Sequence, residues 1–285
     1  MGFAQHQSFY LRDRWIEKFF SYYKSLDPET AKENFSNKNY LRLGLGKNMF
    51  ESLKYWVRAS QILSKDFKVT KVGEIISQKD IMLLNTNTLS IIHYLIVSNK
   101  EEASFWYWFF NIYPGKTFLK ESITFEDSIY GWAKYNFKKI SIKSLRKDLL
   151  CMVQMYTQKE DINDPEDTIF SPFYKLALIE NNEYSIIKKD KKGSEIGYIA
   201  LLYTLLNECE KNNLKTISVD QIYTNPGLWG KIFNLDKSAI IQSLSEIKNK
   251  YPDFITFDQT AKLDMVNIID SNSLLFLEKN LGRSL

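Results

Sequence analysis

The residues best suited to chemistry in this sequence are cations that follow a short glycine turn. The stretch Leu41–Leu63 reads LRLGLGKNMFESLKYWVRASQIL. At 100° per residue, Lys47, Lys54 and Arg58 fall on one side of a helix and apolar residues fall on the other. The second helix of a helix-turn-helix enters a DNA groove with such a cationic front and apolar back. The alternative is a surface helix with a solvated charged face, in which Glu51 pairs with its neighbours.

Positive charge is concentrated in the first quarter of the chain. Residues 1–71 contain 13 Lys and Arg against 7 Asp and Glu, whereas the rest of the chain contains 25 against 27. Four of the six arginines lie in this quarter, and arginine is suited to bidentate contacts with phosphate and guanine. The asymmetry predicts double-stranded DNA as the partner. The predicted DNA-binding residues are Arg12, Arg14, Lys18, Arg42, Lys47, Asn48, Lys54, Arg58, Lys68 and Lys71.

One of the two histidines is a candidate for acid–base catalysis. His6 precedes the first predicted helix and could act as a general acid or base beside a phosphate held by Arg12. The alternative for His6 is a hydrogen bond at the start of that helix. His93 lies within an apolar helical stretch and is predicted to be a core residue.

No motif marks a metal or nucleotide site, so the sequence assigns no metal-binding residue. The sequence has no H-E-x-x-H, no paired C-x-x-C and no G-x-S-x-G. The glycines at 44 and 46 lack the spacing of a phosphate-binding loop. The acidic segment 158–168 carries carboxylates that could hold Mg²⁺, but it lacks the glycine and the final glutamate of a calcium loop. An ordinary solvated linker is the preferred interpretation of that segment.

The elements that must position the cations follow the order of a winged helix-turn-helix. Residues 11–26 are predicted as a helix with one broad aromatic face, and residues 29–39 as a short polar helix. The glycine turn and the cationic helix come next. In Phe67–Ile76, β-branched residues favour a strand and Gly73 favours a turn, as in a β-wing. Residues 1–78 are therefore predicted to be a winged helix-turn-helix DNA-binding domain.

Residues 79–180 are predicted to be a helical domain with an aromatic core. The stretch Ser104–Asn111 reads SFWYWFFN and is apolar on every side, which predicts a buried helix. The alternative is an aromatic platform for nucleobases. Two more helices are predicted over residues 123–137 and 141–156.

Residues 181–285 are predicted to be a winged-helix-like C-terminal domain. The hydrophilic run Lys188–Glu195 marks its boundary. Ser218 and Asp236 are predicted N-caps of two helices, and a hairpin is predicted over residues 254–269. The predicted order is therefore three helices and a wing.

The predicted fold class is mainly α (α+β). No apolar run approaches the roughly 18 residues of a membrane span, and the N-terminus lacks the features of a secretory signal. Cys151 and Cys209 lie among apolar helical residues without metal-ligand spacing, which predicts reduced core thiols. A cytoplasmic protein without membrane contacts is expected.

Two blocks of the N-terminal sequence resemble a known bacterial family. HQSFYLRDRWIEK (His6–Lys18) and LGLGKNMFESLKYW (Leu43–Trp56) look like the signature blocks of the SspB-like family of DNA phosphorothioation-dependent defence systems. The aromatic stretch Ser104–Asn111 resembles the family's W-Y-W-F-F-N. The similarity spans most of the chain and is dense before residue 113. The matching positions are His6, Ser8, Phe9, Arg12, Trp15, Lys18, Gly44, Gly46, Lys47, Asn48, Met49, Tyr55 and Trp56.

The resemblance implies a component of an antiviral defence system that acts on DNA. Members of this family are described as DNA nickases, and they act beside a cysteine desulfurase, an ATP pyrophosphatase and an ATPase. A nick would expose one strand for replacement of a phosphate oxygen by sulfur. Such an endonuclease would need a divalent cation, Mg²⁺ or Mn²⁺, or a general base near the scissile phosphate.

Three functions remain open at this point. The first is a DNA-binding component that also nicks one strand of duplex DNA. The second is a non-enzymatic winged-helix regulator or adaptor that recruits partner proteins. The third is a scaffold whose winged helices contact proteins and not DNA.

Overall fold

The computed structural model describes residues 3–26, 40–120, 123–137, 140–157, 170–259 and 264–282. The α-helices are α1 (Trp15–Lys24), α2 (Lys47–Ala59), α3 (Lys71–Lys79), α4 (Thr86–Ser98), α5 (Ser104–Tyr107), α6 (Ile123–Asn136), α7 (Ile142–Thr157), α8 (Gly193–Ile196), α9 (Tyr198–Lys211), α10 (Val219–Thr224), α11 (Trp229–Ile232), α12 (Lys237–Lys250) and α13 (Ser273–Asn280). A π-turn over Trp108–Ile112 continues α5, and 3₁₀ turns occupy Tyr40–Leu43 and Pro172–Leu176. The short helix predicted within residues 29–39 and the acidic segment 158–168 lie outside the described residues.

The strands within the described residues form two small antiparallel sheets. The strands are β1 (Thr117–Leu119), β2 (Ile179–Asn181), β3 (Ser185–Lys188), β4 (Thr216–Ser218), β5 (Ile255–Asp258) and β6 (Met265–Ile268). The first sheet has the order β1-β3-β2 and the second has the order β4-β6-β5. Phe118 of β1 lies opposite Ile186 of β3, so a strand from the middle of the chain joins a later hairpin. The predicted class, mainly α with α+β character, is confirmed.

The wing predicted over Phe67–Ile76 is wrong, because most of that segment is helix α3. Thr70 is the N-cap of α3, and its hydroxyl accepts a hydrogen bond from the N–H of Gly73 at 3.2 Å. An N-cap threonine is β-branched and also favours extended backbone, so it resembles a strand residue in the sequence. In the described part of this segment the only β-pairing is an isolated bridge from Leu63 to Val69.

Helix α2 is packed into the core on the apolar face that the sequence predicts. Leu53, Trp56 and Val57 are fully buried. The indole Nε1 of Trp56 donates a hydrogen bond to the carbonyl oxygen of Phe9 at 2.9 Å, and the Ser52 hydroxyl donates to the same oxygen at 3.1 Å. These two hydrogen bonds therefore hold the segment before α1 against α2.

The aromatic stretch around α5 is buried, as predicted. Trp106, Trp108, Phe109 and Phe110 expose at most 1% of their surface, so they cannot stack on a nucleobase in this conformation. The π-turn places the amide of Asn111 inside the protein. Asn111 donates to the carbonyl oxygen of Val97 at 2.9 Å and accepts from the N–H of Gly227 at 2.7 Å.

The C-terminal part confirms both predicted helix caps and the predicted hairpin. Ser218 accepts from the N–H of Gln221 at 3.2 Å at the start of α10, and Asp236 accepts from the N–H of Ala239 at 2.7 Å at the start of α12. Strands β5 and β6 pair as the hairpin. Strand β4 precedes α10 and pairs with β6, an element that the sequence prediction missed.

The buried side chains form one continuous core that crosses both predicted domain boundaries. His93 is a fully buried core residue, as predicted, and links three regions. Its Nε2–H donates to the carbonyl oxygen of Ile232 at 2.7 Å, and its Nδ1 lies 2.6 Å from the hydroxyl of Tyr156. Burial lowers the pKa of His93 to about 3, so the ring is neutral near pH 7. The boundary predicted after residue 180 falls inside β2. No helix among the described residues has the length and apolar character required to cross a membrane.

Candidate nucleic-acid interface

One cleft collects three of the predicted DNA-binding cations. Arg14 and Lys18 lie a helical turn apart at the start of α1, and Arg42 lies in the 3₁₀ turn that contacts α1. The cleft has a volume of about 540 Å³. Lys18 and Arg42 are exposed and form no ion pair within the described residues. The cationic groups of Lys18 and Arg42 are therefore available to pair with an external anion.

Arg14 is held in a strained position at the mouth of this cleft. It is the N-cap residue of α1 with a φ of 61°, in the left-handed region that costs a non-glycine residue roughly 1–2 kcal/mol. Its guanidinium lies 2.9 Å from the Glu17 carboxylate and 3.7 Å from that of Asp13. Such exposed pairs contribute roughly 0.2–1 kcal/mol, so a phosphate can replace these carboxylates at small cost.

The first turn of α2 supplies the next two predicted residues, Lys47 and Asn48. Gly44 turns the chain with a φ of +64°, and the helix starts after Gly46 without a side-chain cap. The side chains of Lys47 and Asn48 are exposed at this helix start. They lie beside the unpaired N–H groups of the first turn and the positive end of the helix dipole. This arrangement suits a phosphate oxygen.

Beyond that first turn, the predicted cationic face of α2 is engaged with the protein. Lys54 pairs with Glu51 at 2.7 Å, and its ammonium lies 5.2 Å from the centre of the Phe50 ring. Arg58 lies 3.4 Å from the carboxylate of Glu102. In this part of α2 the structure therefore agrees with the alternative, in which Glu51 pairs with a neighbouring residue, and Lys54 and Arg58 are only half-exposed. The partner of Arg58 lies on a distant loop, and nothing in the sequence of α2 indicates it.

The two remaining predicted lysines flank the start of α3. Lys68 is exposed in the loop before the helix, and Lys71 is the first helical residue, 3.2 Å from the carboxylate of Glu74. Neither residue lines the cleft beside α1. The structure therefore does not bring them together with Arg14, Lys18 and Arg42.

Arg12 is surrounded by aromatic rings. Its guanidinium carbon lies 5.0 Å from the centre of the Phe9 ring and 5.6 Å from that of Trp15. Burial lowers the pKa of Arg12, and its buried Nε has no hydrogen-bond partner in the described part of the chain. A half-buried arginine with a free donor retains some capacity to bind an anion.

His6 is buried, and its hydrogen bonds are internal. Its Nδ1 accepts from the N–H of Ser8 at 3.1 Å, so its Nε2 donates to Asp148 of α7 at 2.8 Å. The N–H of Ala4 also donates to the Asp148 carboxylate at 2.9 Å. Burial raises the pKa of Asp148. With 0% of its surface exposed, His6 contacts no external phosphate in this conformation and fastens the N-terminal segment to α7. Nothing in the sequence pattern indicates Asp148, because the two partners are 142 residues apart.

No cluster of metal-binding side chains marks a site for a catalytic Mg²⁺ or Mn²⁺ ion among the described residues. Among them, no group of three His, Cys, Asp or Glu side chains is placed to hold a metal. The carboxylate of Asp148 is the most enclosed acid near the N-terminal segment, and its oxygens are already bonded to His6 and Ala4. No catalytic step through a metal is therefore assigned to these residues.

Comparisons with known proteins assign this chain to a family. No curated protein matches the sequence. Two solved structures share the fold: magnesium ion-bound SspB, with 20% identity and a TM-score of 0.83, and SspB, with 19% identity and a TM-score of 0.81. Each match covers 98% of this chain and 88% of the other chain. Residues 3–280 match the family described as "Protein of unknown function (DUF4007)". The chain therefore belongs to the DUF4007 family and has the fold of SspB.

Proposed function

We propose that this protein is a DNA-binding component of a bacterial phosphorothioation-linked defence system. The observation that carries the proposal is the convergence of Arg14, Lys18 and Arg42 on one cleft. The shared fold with SspB and the signature blocks of the N-terminal sequence connect the chain to such a system. By the same resemblance, its partners are a cysteine desulfurase, an ATP pyrophosphatase and an ATPase.

DNA binds through its phosphates at this cleft. Lys18 and Arg42 supply exposed charges on two neighbouring elements that line one cleft, so both can contact phosphates there. Lys47 lies beyond Arg42, across the glycine turn, and adds a third cation beside the uncapped helix N-terminus. Contacts with phosphates fix the position of the protein on the duplex and supply salt-dependent affinity. They carry little information about the base sequence of the DNA.

The C-terminal part is a winged-helix module that provides a second contact with DNA. Its order is a helix (α9), a strand (β4), two short helices, a longer helix (α12) and a hairpin (β5–β6). The first strand pairs with the last, as a wing requires. On α12, the exposed polar residues Ser238, Gln242 and Asn249 recur at helical spacing and suit contacts with base edges.

Duplex binding by matched charge variants tests the proposal. The test variant carries Lys18→Ala, Arg42→Ala and Lys47→Ala. The control variant removes three other exposed lysines, with Lys79→Ala, Lys100→Ala and Lys175→Ala. If the test variant has lost its contacts with three phosphates, its affinity for a duplex near 0.1 M salt falls about 10²–10³-fold. This estimate uses a slope of roughly 0.9 per phosphate in the logarithm of the association constant against the logarithm of salt concentration. Equal decreases in both variants would assign the effect to net charge and refute DNA binding at the α1 cleft and the adjoining start of α2.

By the resemblance to the SspB-like family, we propose nicking of one strand as a further activity, although no cluster of three metal-binding side chains is present among the described residues. Supercoiled plasmid incubated with the protein and Mg²⁺ or Mn²⁺ is expected to become open circular. If the protein binds duplex but produces no open circles above a metal-free control, the function is that of a non-enzymatic regulator or adaptor. If it neither binds nor nicks, a protein-binding scaffold replaces the proposal.

A further inference from the structure

Lys188, at the end of β3, is a buried cation that has no carboxylate partner among the described residues. It exposes 9% of its surface. Its ammonium donates one hydrogen bond, to the carbonyl oxygen of Tyr113 at 3.1 Å, and lies 5.0 Å from the centre of the Phe109 ring. No ion pair involves Lys188 within the described residues, and two of its three N–H donors have no acceptor among them. A buried ammonium normally requires an anion to offset its lost hydration.

The charged neighbours of Lys188 do not supply that anion. Lys231 of α11 lines the same cleft and has no ion pair among the described residues, and its charge helps to lower the pKa of Lys188. The carboxylate of Asp190 pairs with Lys116. The carboxylate of Asp236 caps α12. Two lysines therefore line the same cleft while both acids that line it are engaged in other contacts.

These groups line a single cleft between the first sheet and the C-terminal part. Its volume is about 190 Å³, sufficient for a phosphate group with part of its substituent. Pro114 and Gly115 line it, as does the wall formed by Tyr223 and Thr224. A Cβ at Gly230 would meet the backbone of Tyr223 at 2.2 Å, so this wall is tightly packed on α11. The cleft is therefore shaped by packed elements on both sides.

We propose that this cleft binds the dianionic phosphate group of a phosphate monoester, held by Lys188 and Lys231 with Lys116 at the rim. Lysine binds phosphate as a point charge, and a dianion offsets two ammonium groups at once. The ligand is a mononucleotide or the 5′-phosphate end of a DNA strand. The site uses none of the residues of the α1 cleft, so it does not depend on the DNA-binding role of that cleft.

Thermal unfolding of the full chain tests the site, with inorganic phosphate as the probe and chloride at equal ionic strength as the reference. Phosphate is expected to raise the Tm relative to chloride, because a ligand that binds the folded state stabilises it. The increase is expected to disappear in Lys188→Met and in Lys231→Met. It is expected to persist in Lys189→Met, which removes an exposed lysine next to the site. Calorimetric titration of the same variants checks the result, and Lys231, which is only half-buried, keeps the test valid if Lys188→Met does not fold.

Two further probes distinguish the sources of the phosphate group. Deoxyadenosine 5′-monophosphate tests the mononucleotide, and a short single strand with or without a 5′-phosphate tests the DNA end. Stronger binding of the phosphorylated strand, abolished in Lys231→Met, assigns the site to strand ends. Absence of any phosphate-specific increase in Tm overturns the proposal, as does an increase that both lysine substitutions leave intact. Either result leaves duplex binding at the α1 cleft unaffected.

Discussion

Replacing Lys188 by methionine is expected to stabilise the protein at neutral and acidic pH. Methionine has a similar length and fills the same space between Phe109 and Tyr113 without a charge. An unpaired buried ammonium destabilises the folded state, because its hydration is lost and no anion compensates. Apolar replacement of buried charges of this kind is often neutral or stabilising. The sign of the difference in unfolding free energy between Lys188→Met and the unsubstituted protein depends on pH. The prediction therefore specifies a pH profile as well as a direction.

The magnitude follows from the pKa of Lys188, which burial and the charge of Lys231 lower from 10.5 to about 7. A shift of this size corresponds to about 5 kcal/mol of destabilisation at full effect. Between these two values the unfolded chain binds more protons than the folded chain, so stability rises with pH through this window. The destabilisation is complete below about pH 7 and is lost by about pH 10.5. Loss of the hydrogen bond to the Tyr113 carbonyl oxygen offsets about 1–3 kcal/mol of the gain in the variant.

Urea unfolding at about pH 6, pH 8 and pH 10 measures the effect. Lys188→Met is expected to be more stable than the unsubstituted protein by about 2–4 kcal/mol at the lowest pH. The difference should then decrease by about 1.4 kcal/mol per pH unit above pH 7. Lys189→Met, beside it on the surface, should show no such dependence. A difference that stays constant from pH 6 to pH 10 would refute the assignment of Lys188 as an unpaired buried cation.

Three further substitutions test the packing. Gly73→Ala places a Cβ 2.7 Å from the carbonyl oxygen of Ile62 and should destabilise by about 1–3 kcal/mol. Gly131→Ala in α6 is the control, because a Cβ there meets nothing, and it should be neutral or stabilise by up to about 1 kcal/mol. Equal unfolding midpoints of the two glycine variants would contradict the close contact at Gly73. His6→Ala leaves the buried carboxylate of Asp148 short of a donor and should cost about 3 kcal/mol in urea unfolding, with duplex affinity unchanged. A folded His6→Ala variant with weakened DNA binding would instead support a direct role for His6.

Local chemistry made many of the elements predictable from the sequence. Ser218 and Asp236 are N-caps because their side chains can accept from an N–H three residues later, and this pairing requires no distant contact. The aromatic stretch before Pro114 is apolar around a whole helix and therefore had to be buried. The hairpin of β5 and β6 is short-range in the same sense.

The errors arose where one local pattern suits two structures. Thr70 favours a strand by its β-branch and a helix start by its hydroxyl, and packing decided for the helix. Strand β1 has only three residues and pairs with β3 much later in the chain, so its short pattern is uninformative.

The candidate site was partly predictable, because a concentration of cations is visible in the sequence whereas the partners of each cation are not. Arg14, Lys18 and Arg42 were selected from charge alone, and folding brings them to one cleft. The acids that engage Arg58 and His6 are distant in sequence. Lys188 stands in a hydrophilic run, yet the two-residue period of β3 puts it on the buried face with Ile186. A lysine inside a charged run gives no sign of such burial.

The salt dependence of duplex binding tests the central claim most directly. The logarithm of the association constant is plotted against the logarithm of salt concentration for the unsubstituted protein and for the variant lacking Lys18, Arg42 and Lys47. If these residues contact three phosphates, the slope should become shallower by about 2.7 in the variant, at roughly 0.9 per phosphate. The control variant lacks Lys79, Lys100 and Lys175, which are exposed and do not line the cleft, and it should keep the original slope. An unchanged slope in the cleft variant would contradict DNA binding at this surface.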